Sequence, residues 1–365
     1  MSRPERVIGW DVGGAHVKAA LVEHGELRDA VQWPCPLWQG LEQLQRCIDA
    51  AAQRWPEALS SAQTVHAITM TGEMVDLFPH REAGVAAIAE RLERTLVGPA
   101  IFYAGEPGWC GAADVSVRWA AMASANWLAT AQIVAHVLQR RGGDGGVLVD
   151  IGSTTSDLIP LAGGRPRARG RSDADRLVTG ELVYQGVVRT PLCGVASRID
   201  FQGVQRGVMN ELFATTADVY RLCGELDPEH DQHPSADGGG KDLAATRQRL
   251  ARMIGLDARD ASDADWRDFA AAWRALQLDE LDAQLRRVSQ AAGLASDAPL
   301  ISAGCGDFLV EALAERGGRP LLRFATLVLG GPELDRAPGG PALRRCVQVT
   351  APACAVALLC STASG

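Results

Sequence analysis

The chain has 365 residues, 47% apolar and 22% charged, with a formal net charge of −8 and a pI near 5.5. That length exceeds one ordinary core and implies two domains, while the composition excludes a disordered chain and the acidic balance argues against a nucleic-acid partner. Nine cysteines without a CxxC pair or regular spacing read as reduced, mostly buried thiols and a cytoplasmic address.

At the N-terminus "MSRPERVIGWDV" passes from charge into an apolar run too short for a signal peptide or a membrane span. Strands are predicted at "RVIGWDV" and "HVKAALVE", with "HGEL" as a hairpin tip. Leu41, Leu44, Ile48 and Ala51 recur at helical spacing. Then come a strand "TVHAITM", a helix "EAGVAAIAERLERTL", a strand "AIFYAG" and a long helix "WAAMASANWLATAQIVAHVLQRR" ended by Gly142 and Gly143. The order is β-β-β-α-β-α-β-α.

After "GGDGG" a second half opens with "VLVDIGSTTSDLIPL". "RPRARGR" reads as a solvated hairpin. Residues about 205–292 read as a helical insertion with a polar loop, "DPEHDQHPSADGGGK". The half closes with "APLISAGCGDFLVEALAERG" as strand, Gly-rich turn and helix, then a strand "LLRFATLVL" and a buried terminal helix "APACAVALLC". Residues 1–143 and 144–365 thus read as one fold written twice, with little shared sequence.

The shared element is a strand, Asp-X-Gly and small polar residues, then a second strand. Asp11 aligns with Asp150 and Gly13 with Gly152. Each unit sets a carboxylate at a strand end and then turns through residues whose N–H groups can approach an anion. Glycine permits the approach, and Gly14, His16, Ser153, Thr154 and Thr155 lie in these turns as phosphate-binding candidates. Lys18 would add positive charge at the first. A carboxylate beside a phosphate needs a cation between them, so Asp11 and Asp150 are expected to hold Mg²⁺, largely through water.

This pair of turns resembles the two phosphate loops of the actin, sugar-kinase and Hsp70 superfamily. "DVGGAHVKAA", "MTGEM" and "VDIGSTTSDLIPL" resemble its hydantoinase A/oxoprolinase branch more closely. "ASANWLATA", "TGELVYQGVVRTPLCG", "DVYRLCGELDPEHDQHPSADGGGKD" and "ISAGCGDFL" look like a narrower group tied to tetrahydromethanopterin-linked one-carbon transfer, with archaeal methanofuran-biosynthesis synthases among its relatives. The resemblance runs from about residue 6 to 360. It implies an α/β fold of two duplicated ribonuclease-H-like, actin-like ATPase domains with a ligand cleft between them and the insertion in the second.

It also implies a reaction: an aminomethyl-furanmethanol diphosphate condenses with the phenol of a tyrosine- or tyramine-type partner and releases diphosphate. Superfamily members that use ATP carry a late glycine pair for the adenine. Here Cys305 separates Gly304 from Gly306 and Asp307 follows, so the phosphate half matches and the adenosine half does not. Glu73 in "TGEM" and Glu181 in "TGEL" are candidate bases at a cleft rim, with backbone capping as the alternative.

Asp157 is expected to reach the metal or pair with an arginine. His230, His233, Asp227, Asp231 and Asp237 form a metal-like cluster or a plain loop. That loop could also be a lid hinged at Gly238–Gly240, with Lys241 meeting a phosphate. Asn126 and Trp127 are expected to face the cleft, with the core as the alternative for Trp127. Competing functions are an ATP-dependent oxoprolinase-like or kinase-like enzyme, whose ATP is the open cofactor question, and a non-catalytic actin-like nucleotide switch. No membrane partner is expected, and apolar helices such as "FAAAWRALQL" offer a face for a homodimer.

Overall fold

The computed structural model describes residues 3–106, 108–330, 336–337 and 339–362. The first half runs β1 (Arg6–Val12), β2 (His16–Glu23), β3 (Glu26–Pro34), α1 (Glu42–Arg54), α2 (Pro56–Ser60), β4 (Val65–Met70), α3 (Arg81–Thr95), β5 (Ala100–Tyr103), β6 (Trp109–Cys110), α4 (Val115–Met122) and α5 (Asn126–Arg140). The second opens with β7 (Gly145–Ile151), β8 (Ser156–Ala162), β9 (Arg165–Pro166), α6 (Asp173–Thr179) and β10 (Leu182–Val183). The insertion follows as the hairpin β11 (Arg198–Phe201) and β12 (Val204–Gly207), then α7 (Thr216–Cys223), α8 (Leu243–Arg252) and α9 (Asp263–Ala291). The chain ends with β13 (Leu300–Ala303), α10 (Asp307–Gly317), β14 (Leu321–Arg323), α11 (Phe324–Leu329), α12 (Gly340–Val349) and α13 (Ala351–Thr362).

The two large sheets repeat one topology. The first orders its strands β3-β2-β1-β4-β5-β6 and the second β10-β8-β7-β13-β14, with β9 also on β8. In each, the first strand lies between its successor and a later strand parallel to it, β4 beside β1 and β13 beside β7. The duplicated ribonuclease-H-like order expected from the two turns is therefore present.

Contacts divide the chain into two compact units: Met1–Gly145 with Leu161–Arg167 and Leu322–Gly365, and Gly146–Pro160 with Ala168–Leu321. The expected division at 143/144 misses where the C-terminus goes. In the first unit β1 is buried on both faces. Ile8, Trp10 and Val12 meet Leu44, Ile48, Val85, Ile88 and Leu92 from α1 and α3. On the other face α13 lies so close that a Cβ on Gly9 would sit 2.1 Å from the Ala353 carbonyl oxygen. An all-apolar helix needs cover around its circumference, and α13 obtains it between β1, β2 and α5.

Among the described residues no single helix is long and apolar enough to cross a membrane; α12 and α13 pass together but bend by 97°. The second unit's core joins Val147, Val149 and Ile151 of β7 to α10 and to the insertion, where Phe201 stacks on Trp266 at 4.8 Å between ring centroids.

Three expectations are corrected. The long helix at 119–141 is two helices, broken where Ser124 adopts φ 51°. "LLRFATLVL" keeps only Leu321–Arg323 as strand and continues as α11, since a short apolar run carries no decisive period. The face of α9 offered to a second subunit is spent inside its own unit, with Phe269, Ala270, Trp273 and Leu278 in the core.

Candidate functional site

In the first unit Asp11 stands one residue before the end of β1 and is 3% exposed. Strand register aligns it with Lys18 on β2 and Thr69 on β4, and Lys18 with Gln32 on β3, so four strands contribute one polar row. Lys18 Nζ lies 3.5 Å from Asp11 Oδ2, so its positive charge stands at the first turn beside that carboxylate. The turn closes where the Gly13 N–H donates to the His16 carbonyl at 2.9 Å, and His16 is buried.

The loop after β4 packs on that turn. The Thr71 N–H donates to the Val12 carbonyl at 2.9 Å, and a Cβ on Gly72 would lie 3.2 Å from the Gly13 carbonyl carbon. A Cβ on Gly14 would meet Val75 at 2.8 Å.

Glu73 follows in this loop, and it is buried rather than at a rim. Ser124 donates to Oε1 at 2.8 Å and Arg81 lies at 3.3 Å, while Oε2 has no hydrogen-bond partner among the described residues. Burial outweighs both partners and holds the Glu73 carboxyl above the ordinary carboxylate range. At the start of α5, Asn126 accepts the Trp127 N–H at 2.7 Å, and Trp127 is buried.

In the second unit Asp150 holds the equivalent place on β7, 9% exposed. The Gly152 N–H closes the turn on the Thr155 carbonyl at 2.9 Å, and the hydroxyls of Ser153 and Thr154 lie 3.4 Å apart. Gly304 and Gly306 serve first to pack the β13–α10 turn against this strand end. A Cβ on Gly304, at φ 85°, would lie 2.6 Å from Asp150 Oδ1, and the Gly306 N–H donates to the Ile151 carbonyl at 2.9 Å.

Residues 186–189 complete the turn, and sequence reading missed them. A Cβ on Gly186 would fall 2.4 Å from both Ser153 C and Thr154 N. The Val187 N–H donates to the Gly152 carbonyl at 3.0 Å, and those of Val188 and Arg189 to the Ser153 carbonyl at 3.1 and 2.8 Å. The Arg189 guanidinium reaches Thr154 Oγ1 at 3.4 Å, and burial pulls its pKa below the ordinary arginine value. A partly desolvated cation against a hydroxyl-lined turn suits an oxyanion. The family-like stretch "TGELVYQGVVRTPLCG" contained it, but no spacing singled it out.

The remaining candidates have partners within their own surroundings. Glu181 accepts the Arg169 and Gly170 N–H groups at 2.7 and 2.8 Å, so both oxygens tie down a loop, the capping alternative. Asp157 pairs with buried Arg176. In the polar loop Asp231 binds Arg221 at 2.5 Å and Lys241 at 2.9 Å, and Asp237 binds Arg249 at 3.1 Å. These ties fasten the segment read as a lid and occupy the lysine read as a phosphate ligand. His230, pushed below the ordinary imidazole range by burial, feels the charge of Asp307. Among the described residues no three His, Cys, Asp or Glu side chains form a metal cluster.

The hydantoinase/oxoprolinase family model matches residues 64–320. The chain is 28% identical over 264 residues to a (4-{4-[2-(gamma-L-glutamylamino)ethyl]phenoxymethyl}furan-2-yl)methanamine synthase of Methanocaldococcus jannaschii, covering 72% of this chain and 76% of that protein. It is 29% identical over 170 residues to the protein of the same name from Methanococcus vannielii, covering 46% and 75%. A solved nucleotide-free structure of acetone carboxylase, an enzyme of ATP-dependent acetone carboxylation, superposes with a TM-score of 0.57 at 12% identity, covering 87% of this chain and 68% of that one. That likeness shows the fold.

Proposed function

The chain belongs to the hydantoinase/oxoprolinase family, and from that premise we propose that it is an ether-forming synthase of methanofuran-type cofactor assembly, serving tetrahydromethanopterin-linked one-carbon metabolism. It joins an aminomethyl-furanmethanol diphosphate to the phenol of a tyrosine- or tyramine-type partner. The observation that carries this reading is the product for which both archaeal relatives are named, a phenoxymethyl group on a furan. Its defining bond joins a phenol oxygen to a furan methylene. Forming that bond from a diphosphate breaks the methylene–oxygen bond, and diphosphate leaves with the electron pair. The phenol proton passes to a base or to solvent.

The furan oxygen delocalises positive charge developing on the methylene, so holding the leaving group supplies most of the catalysis. The turn at 152–155 with Arg189 suits that role, with backbone and hydroxyl donors beside one guanidinium. Of the two expected bases, Glu181 has both oxygens engaged and Glu73 is enclosed. The leaving group is therefore where we place the chemistry.

Magnesium fits the donor set, because it keeps its waters and binds through one or two carboxylates plus substrate phosphates rather than an all-protein cage. Asp11 or Asp150 would hold it, and when bound it would supply charge neutralisation on diphosphate. In this reading ATP is not consumed.

Purified protein given both substrates should yield the aryl ether by mass spectrometry with one diphosphate per turnover, and Asp150→Asn should lower kcat on the order of a hundredfold. ATP hydrolysis driven by a hydantoin or lactam, with no ether formed, would overturn the proposal.

A further inference from the structure

The helical insertion has no role in the chemistry just described, yet two of its buried side chains end on the phosphate turn's support. Gly186 is the point of contact. Its missing Cβ lets it press on the Ser153–Thr154 peptide, and its own polar groups are claimed from several sides. The N–H donates to Thr190 Oγ1 at 2.8 Å. The carbonyl accepts Thr216 Oγ1 at 2.9 Å from the first turn of α7, and Gln277 Nε2 at 3.1 Å from the middle of α9. Gln277 is in turn oriented by the Tyr220 hydroxyl, which donates to its Oε1 at 2.5 Å.

Gln277, Thr216 and Tyr220 are all buried, where an unmade hydrogen bond is costly and the geometry is correspondingly well determined. The N-terminus of α7 adds two backbone ties. Its Thr216 and Ala217 N–H groups donate to the carbonyls of Thr190 and Val188 at 2.9 and 3.2 Å, which satisfies helix-end donors with the loop that carries Arg189.

We infer that Gln277 and Thr216 are positioning residues for diphosphate: through Gly186 they set the 152–155 turn and the Arg189 loop at the spacing an oxyanion requires. Neither touches substrate. The insertion thus acts as a brace for the anion site, and the inference rests on the synthase reading. A sub-ångström shift at Gly186 moves the Thr154 peptide and the Val187–Arg189 ladder together, because their backbones are directly bonded.

The test uses the full chain and inorganic diphosphate with magnesium, titrated calorimetrically. Thr216→Val and Gln277→Leu should each weaken diphosphate binding roughly fivefold or more, the loss of one buried hydrogen bond. The KM for the phenolic partner should stay within about twofold. Thr216→Ser, which keeps the hydroxyl, should restore wild-type binding.

Hydrogen exchange at Val187, Val188 and Arg189 should accelerate in the Val and Leu variants, an independent reading if Gln277→Leu folds poorly. Variants that melt earlier yet bind diphosphate like wild type overturn the brace alone. Wild-type protein that ignores diphosphate overturns the synthase reading and the brace with it.

Discussion

Arg189 and Glu73 show how burial changes what a charged side chain is for. Arg189 is partly desolvated against Thr154, and a desolvated cation attracts an anion more strongly than one in water. Arg189→Lys keeps the charge but loses the planar fork. Steady-state kinetics should show the KM for the diphosphate substrate rising on the order of tenfold, with the phenol KM unchanged; equal KM values for the diphosphate in both forms would remove Arg189 from the site. Glu73 is the opposite case. Its folded pKa lies above the ordinary 4.5 because burial favours the neutral acid. Its contribution to stability is therefore complete below that value and lost as pH rises through the raised one. Glu73→Gln copies the neutral form, so the variant should gain on wild type as pH climbs from 4.5 toward neutrality; parallel melting curves across that range would contradict this. Both Asp-X-Gly turns were visible as residues in order. Arg189 was not, because its partner is a turn 35 positions earlier.

At the scale of elements, periodicity placed most helices and strands and failed where an interruption was tertiary. α4 and α5 read as one helix because apolar residues continue across Ala123–Ala125. At the break Ser124, at φ 51°, turns its hydroxyl onto Glu73, a contact that no helical pattern encodes. A left-handed conformation costs a non-glycine residue on the order of 1 kcal/mol, comparable to the net worth of one buried hydrogen bond. α9 was recognisable as helix, but its length of 29 residues conceals two roles. Phe269, Trp273 and Leu281 build core, and Gln277 interrupts that face with an amide. A polar residue on an apolar stripe reads as a blemish until its partners are known. The fastening of the polar loop likewise depended on Arg221 and Arg249, which lie outside it.

At the scale of the whole molecule, the chain's end belongs with its beginning. α13 fills the face of β1 that Gly9 leaves open, and Ala353, Cys354, Ala355, Val356 and Ala357 are all buried there. Ending the chain after Leu321 should expose that face and unfold the first unit preferentially. Hydrogen exchange should lose protection in β1, β2 and β4 while β7 and β13 retain theirs. Uniform loss in both sheets would mean that the two units do not unfold separately.

The local order of residues was enough to determine two related α/β halves, two acidic strand ends followed by anion-friendly turns, and an inserted helical segment. Those features depend on periods of two and 3.6 residues and on where glycine stands, which are properties of adjacent positions. Tertiary structure decided which side chains those turns acquire as neighbours, which carboxylates are consumed by backbone donors and arginines, and where the last helix docks. Such outcomes rest on contacts between distant positions, Gly186 with Gln277 or Gly9 with Ala353, and no short-range pattern carries them.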